Sequence, residues 1–428
     1  LSMRSGRIVL LSDYIGGEGP GSGGAGHAAL DSFRALRAAG ADVRAIAGFG
    51  GEDGAAPPGV THLGGGDLRE AGAAGMLRAI YNPAARRALA RALADADPDT
   101  TLVVVHQWTR YLSPAALGIA SRFPTMIYMH DYFWACPNGG YYDFRQDRPC
   151  DRQPMGMRCL AADCDRGGRV HKGGRVARQA VRMATSGGEP ARRLFLHLSE
   201  HAQRTAKPLL PGQRHAVLYN PLPLPAPPSP PATPIYDVGY FGRLERDKGV
   251  AMLAAAIGGA GVTGLFVGQG SLAPLVAATP GVTHRTWQPR AEVAAAMRSC
   301  RIVVLPSLWN ETWGLIVPEA MAAGVPVLVS ARAGAAELVR RFGGGQVFDP
   351  GRPDALPMQL AQMLAAPDAP TQRREALRAF LSPERHAARI MQLAASHFGL
   401  DLRRQVRCPS EAAARPISPS AALPPLPT

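Results

Sequence analysis

Val238-Gly239-Tyr240-Phe241-Gly242-Arg243-Leu244-Glu245-Arg246-Asp247-Lys248-Gly249 leads from a short strand, through a glycine-bounded cationic loop, into the helical pattern Val250–Ile257. A buried strand passing directly into a helix is the unit of a parallel sheet covered on both faces. The unit recurs on either side. Downstream, the apolar runs Leu265–Val267, Val282–Thr286, Ile302–Leu305 and Val325–Ser330 alternate with helical stretches such as Glu292–Arg298. Upstream, Ile8–Ser12, Val43–Ala47, Leu102–His106, Thr125–Met129, Leu194–Ser199 and Ala216–Tyr219 read as strands, with helical patterns such as His27–Ala39 between them. The alternation predicts an α/β chain of two doubly wound domains facing each other.

Proline marks the boundaries. Pro221 to Pro234 holds eight prolines in fourteen residues, which excludes helix or central strand and predicts a stiff extended connector. The expected organisation is a first domain over 1–220, a linker over 221–234, and a second domain over 235–400. The last helix of the second domain is expected to pack back on the first. A proline-, serine- and alanine-containing tail over 401–428 has a disordered composition.

The 428 residues carry a formal net charge of +14. Gly249–Thr283, the longest uncharged stretch, is interrupted by glycines and prolines, so it predicts no membrane span. The N-terminal apolar run Ile8–Leu11 is too short for a signal peptide, and six cysteines make no disulfide framework. A cytoplasmic protein is expected. Between Arg145 and Arg214 stand 15 Lys and Arg against six Asp and Glu. Within it Arg169, Lys172, Arg175, Arg178 and Arg182 recur at helical spacing. That stripe is read either as a solvated face or as a surface for an anionic membrane, which would make the protein peripheral at the inner face. No nucleic-acid module accompanies it, so nucleic acid is not an expected partner.

Ligands of such sheets gather beyond the carboxyl ends of the strands. After the first strand comes a glycine-rich run, Gly16 to Gly26. Its Gly21, Gly23 and Gly26 satisfy the dinucleotide pattern G-x-G-x-x-G, which keeps a dinucleotide-dependent oxidoreductase as an alternative. Against that reading, eight residues separate the strand from Gly21, and the second strand ends in Ala47-Gly48 without the expected acid. In the second domain, Arg243 and Lys248 place two cations between a strand end and a helix start, a setting suited to a diphosphate whose charge rises as it departs. Further on, Leu305-Pro306-Ser307-Leu308-Trp309-Asn310-Glu311-Thr312-Trp313-Gly314 precedes the helical Leu315–Ala323, with Glu311 on the loop and Glu319 on the helix. Two carboxylates so spaced address one ligand from both ends, as sugar- and ribose-binding acids do.

These motifs resemble the retaining GT-B glycosyltransferases of family 4, the glycosyl transferases group 1. The likeness rests on Gly242–Gly249, Pro306–Gly314, the E-x7-E pair Glu311 and Glu319, and Glu319-Ala320-Met321-Ala322-Ala323-Gly324. In the first half, Tyr81-Asn82-Pro83, Leu112-Ser113-Pro114 and His130-Asp131-Tyr132 with Cys136-Pro137 resemble a bacterial polysaccharide-type branch. The resemblance implies two Rossmann-like domains around a cleft, and transfer of a sugar from a nucleotide diphosphate-sugar of UDP or GDP type to a saccharide or lipid-linked acceptor. That sugar nucleotide is a substrate; no cofactor and no catalytic metal are implied.

By the same resemblance His130 and Glu311 are catalytic, and Arg243 and Lys248 neutralise the diphosphate. Thr312, Trp313 and Gly314 contribute to the donor site, Glu319 holds the ribose, and Gly23 and Gly24 close on the diphosphate. His106, also ending a strand, is a second-rank candidate. Trp287-Gln288-Pro289 departs from the family's usual turn and leaves the base open. A nucleotide-sugar epimerase of the same fold is a further alternative. Cys136, Cys150, Cys159 and Cys164, spaced 14, 9 and 5 apart, are read as free thiols, with a structural zinc as the alternative.

Overall fold

The computed structural model describes residues 4–16, 23–50, 57–68, 71–187, 189–223, 233–365 and 374–403. The first sheet is built from β1 (Arg7–Ser12), β2 (Val43–Phe49), β3 (Val60–Gly65), β4 (Thr101–Val105), β5 (Thr125–Met129), β6 (Arg193–His197) and β7 (Arg214–Val217). These strands lie in the order β7-β6-β5-β4-β1-β2-β3, and all are parallel. The second sheet is built from β8 (Tyr236–Phe241), β9 (Gly264–Val267), β10 (Val282–Arg285), β11 (Cys300–Leu305), β12 (Val327–Ser330) and β13 (Gly345–Phe348). Its order is β10-β9-β8-β11-β12-β13, again parallel throughout. Central strands such as β4 and β5 are buried at every residue, which is why their runs are continuously apolar.

Two strands escape the sequence pattern, β3 and β13. Both are sheet edges with partly exposed residues, so neither presents a continuous apolar run.

The helices include α1 (Gly23–Ala38), α2 (Gly168–Thr185), α3 (Val250–Ala260), α4 (Arg290–Arg298), α5 (Ile316–Ala323) and α6 (Pro383–Phe398). Helix α6 packs on α1, and its His386 lies 2.9 Å from Ser32 Oγ of α1. Gly21, most of the linker (224–232) and the tail from 404 lie outside the described residues. No described helix is long and apolar enough to cross a membrane.

The cationic stripe is corrected by the structure. Helix α2 runs unbroken through Gly173 and Gly174, but it turns most of the stripe inward. Lys172, Arg178 and Arg182 are only 4%, 7% and 9% exposed. Arg178 lies 4.5 Å from the centroid of Phe133, and Arg182 lies 5.1 Å from that of Trp134. Helical spacing puts these residues on one face, and here that face looks onto aromatic rings rather than solvent.

Candidate functional site

Each sheet reverses its strand order at one point, and there the loops diverge to leave a crevice. In the second sheet this point lies between β8 and β11, whose following loops carry Arg243–Lys248 and Pro306–Gly314. In the first it lies between β1 and β4, whose ends lead to the glycine-rich run and to His106. The topology therefore gathers the candidate residues from distant stretches of sequence.

Lys248 ends a short 3-10 turn (Arg246–Lys248) just before α3. Its Nζ donates to Glu311 Oε1 at 2.7 Å and sits 4.8 Å from the Trp309 ring centroid. Ser307 Oγ donates to the other oxygen of Glu311. Burial alone would raise the Glu311 carboxyl, but Lys248, Ser307 and Arg243 together hold it below the usual carboxylate range. Glu311 is therefore a fixed anion with one donor on each oxygen, which leaves each oxygen a further lone pair. Arg243 is exposed, and among the described residues its guanidinium has no hydrogen bond or ion pair. Gly249 is required by the approach of the two loops: its φ is +72°, and a Cβ there would meet Pro306 O at 1.9 Å.

Glu319, in the first turn of α5, receives Arg290 Nη2 of α4 at 3.1 Å, while Nη1 of the same arginine reaches Asp31 of α1 at 3.2 Å. Burial raises the Glu319 carboxyl, and Arg290 partly opposes it. Gly24 faces Leu315 closely enough that a Cβ would lie 2.8 Å from Leu315 Cδ1. The start of α1, where Gly23 and Gly24 stand, thus abuts the loop that carries Thr312, Trp313 and Gly314.

His130 follows β5. Its carbonyl accepts from Thr312 Oγ1 at 2.9 Å, and its Nε2 lies 2.9 Å from Nδ1 of His106. The His106 ring stacks on Tyr128 at 4.0 Å between centroids. Burial pushes His130 down to about 3 and holds His106 well below its ordinary value, so both rings are neutral at neutral pH. The second-rank candidate His106 is thus in direct contact with the first-rank His130. Ser199 Oγ, from the first domain, donates to Thr312 O at 2.9 Å and adds a further tie across the cleft.

Sequence reasoning does not single out Ser307, Arg290 or Asp31. Ser307 stands inside the Pro-Ser-x-x-x-Glu run and is legible there, whereas nothing local links Asp31 to Arg290. Among the described residues no group of His, Cys, Asp or Glu has a metal-holding arrangement. In place of a zinc geometry, Cys164 and Cys159 face the ammonium of Lys172. A cavity of about 620 Å³ lined by Tyr219, Arg341, Phe380, Arg385 and His386 lies elsewhere and contains none of the candidate donor residues.

Residues 236–366 match the family model described as Glycosyl transferases group 1. Over 147 residues the chain is 30% identical to the D-inositol 3-phosphate glycosyltransferase of Segniliparus rotundus, a match covering 31% of this chain and 32% of that protein. The chain thus spans about a third of the length of this curated relative. Sucrose-phosphate synthase from Thermosynechococcus elongatus superimposes with a TM-score of 0.65 at 19% identity, over 92% of this chain and 99% of that one. Anabaena HepE in complex with UDP-glucose does so with a TM-score of 0.60 at 18% identity, over 91% and 99%. With its two parallel sheets meeting at these loops, the chain has the GT-B fold, and its residues 236–366 carry the glycosyl transferases group 1 signature.

Proposed function

We propose that this protein is a retaining glycosyltransferase that moves a sugar from a UDP- or GDP-type nucleotide sugar to a saccharide or lipid-linked acceptor. The observation that carries the reading is the Lys248–Glu311 pair at 2.7 Å, set where the loops after β8 and β11 meet, with Thr312, next to Glu311, bonded to the His130 carbonyl. The same fold holds UDP-glucose in the HepE complex.

In this mechanism the diphosphate lies against Arg243 and Lys248 and the N-terminal end of α3. Its negative charge grows as the bond to the sugar breaks, and fixed cations in a partly dry cleft stabilise that growth more than they stabilise the bound donor. Glu311 receives hydroxyls of the sugar, and Glu319 receives those of the ribose. The departing diphosphate takes the acceptor's proton on the face it leaves, so the sugar keeps its configuration without a protein nucleophile. His130, neutral and fixed by His106, hydrogen-bonds the sugar and orients it. The role we propose is in cell-surface polysaccharide or glycoconjugate synthesis.

A thermal-shift panel of nucleotides and nucleotide sugars tests the donor, because a ligand of the folded state raises the melting temperature. UDP or GDP and one of their sugars should raise it, and NAD should not. Transfer should persist in EDTA, since Arg243 and Lys248 meet the leaving charge. Activity that returns only with magnesium or manganese would overturn that part of the mechanism.

A further inference from the structure

Lys172 is a buried cation whose partners are sulfur. Its Nζ lies 2.9 Å from Cys164 Sγ and 3.8 Å from Cys159 Sγ, and both cysteines are as buried as the lysine. Asp165, the adjacent carboxylate, is taken up by Arg175 at 2.9 Å. Burial opposes the charge on Lys172, yet the sulfurs beside it hold its ammonium form above the usual lysine range. A buried ammonium is costly without partners, and among the described residues those recorded for Lys172 are these two sulfurs.

We propose that Cys164 and Cys159 form a peroxide-sensitive dithiol, with Lys172 set against the Cys164 sulfur and the oxidation read out at the donor loop. The Cys164 sulfur, facing the Lys172 ammonium, gives up its proton and attacks one oxygen of hydrogen peroxide, the O–O bond breaks, and the departing hydroxide takes that proton to leave as water. Cys164 is thereby oxidised by two electrons to the sulfenic acid. The Cys159 sulfur then attacks that sulfur and the S–O bond breaks. A disulfide remains, and a second water leaves with the Cys159 proton. Thiolates rather than thiols do this chemistry, and a neighbouring cation favours the thiolate.

A disulfide brings the two sulfurs to bonding distance, so their contacts with Lys172 change and the segment between Cys159 and Lys172 rearranges. That segment carries Arg166. Its Nη2 donates to Asp247 at 2.6 Å, and its Nη1 lies 3.5 Å from Glu245. Asp247 precedes Lys248, and its carbonyl accepts the Leu308 amide at 2.9 Å. One side chain thus connects the dithiol's segment to the loop after β8, and the Asp247 carbonyl in turn holds the loop after β11. This connection, unlike the thiol chemistry, rests on the glycosyltransferase function proposed for the cleft.

Trypsin releases Cys159 and Cys164 together in the peptide Cys159–Arg166, so the test is a mass measurement on the full chain. After brief peroxide treatment and alkylation, that peptide should appear two hydrogens lighter and unalkylated, ahead of the Cys300 peptide. Lys172→Met should slow its oxidation about tenfold or more. Cys159→Ser should leave a dimedone-trappable sulfenic acid on Cys164, which keeps the test open if Lys172→Met does not fold. Full alkylation after peroxide, a disulfide to Cys136 or Cys150 instead, or stoichiometric zinc in the purified protein would overturn the dithiol. UDP should bind the oxidised protein about threefold or more weakly, reversibly with reductant, a loss of about 0.65 kcal/mol. Unchanged UDP affinity after oxidation would overturn the link to the donor loop alone. A reduced protein that binds no nucleotide sugar would sink the proposed function and leave the mass result standing.

Discussion

Nδ1 of His106 and Nε2 of His130 stand 2.9 Å apart, each ring at the carboxyl end of a neighbouring strand of one sheet. One nitrogen must donate and the other accept, so the proton on His106 fixes the tautomer and tilt of His130. His106 is 3% exposed and reaches the cleft only through its partner. In the proposed transfer it acts as a positioning residue.

His106→Ala is expected to lower kcat about tenfold while leaving the donor KM within about twofold, an effect on the chemical step alone. His106→Asn, which still has a side-chain donor and acceptor, should recover part of the loss. A change confined to KM would remove His106 from this role.

Acid should unfold the protein from below the ordinary histidine range. Burial pushes His197 and His130 down to about 3 and His386 down to about 4, against an ordinary value of 6.5. Between those values and 6.5 the unfolded chain binds protons that the folded chain does not. The stability contributed by the neutral rings is complete above about pH 6.5 and falls as pH falls towards 3–4, by up to about 1.4 kcal/mol per histidine per pH unit. Urea titrations at stepped pH measure the slope, and His386→Gln should reduce it. A stability independent of pH across this window would contradict the buried neutral assignment.

Arg243 and Lys248 should separate in their effects. Arg243 is exposed and pairs with nothing among the described residues, so Arg243→Ala should lower kcat about tenfold or more with little change in melting temperature. Lys248→Ala strands the Glu311 carboxylate between Ser307 and an empty place, and should lose both activity and about 3–5 kcal/mol of stability. Equal melting temperatures for the two variants would show that the pair is not structurally coupled.

Arg178→Ala and Arg182→Ala should destabilise the first domain by about 1–3 kcal/mol each, because each removes a buried stem and a guanidinium stacked on an aromatic ring. Co-sedimentation with phosphatidylglycerol vesicles should be the same for folded variant and wild type. Lost vesicle binding at unchanged melting temperature would return these side chains to the surface.

Much of the fold is legible in the amino-acid sequence. Leu102–Val105 and Thr125–Met129 announce themselves because a central parallel strand is apolar on both faces, and edge strands such as Val60–Gly65 do not because one side meets water. Arg243, Lys248, Glu311 and Glu319 stand in two short runs, so local spacing exposes them. The unread part is long-range. Arg290 meets Asp31 across 259 residues, and Arg166 meets Asp247 across 81. The spacing of Arg169 to Arg182 specifies a shared helix face, but only the neighbouring Phe133 and Trp134 decide whether that face looks inward.

The return of α6 to the first domain has a mechanical consequence. The chain leaves the first sheet after β7 and comes back at Leu381, and the Leu222 amide donates to the Leu381 carbonyl at 2.9 Å. His386, one turn further on, is held by Tyr128 and by the Tyr219 carbonyl. Two strands of chain laced together at one spot behave as a door hinge rather than a tether. Two crossings at one place oppose sliding of the halves there more than they oppose a swing about it. In such a swing the displacement grows with distance from the pin, so the gap between Gly24 and Leu315 changes more than the contact between Leu222 and Leu381.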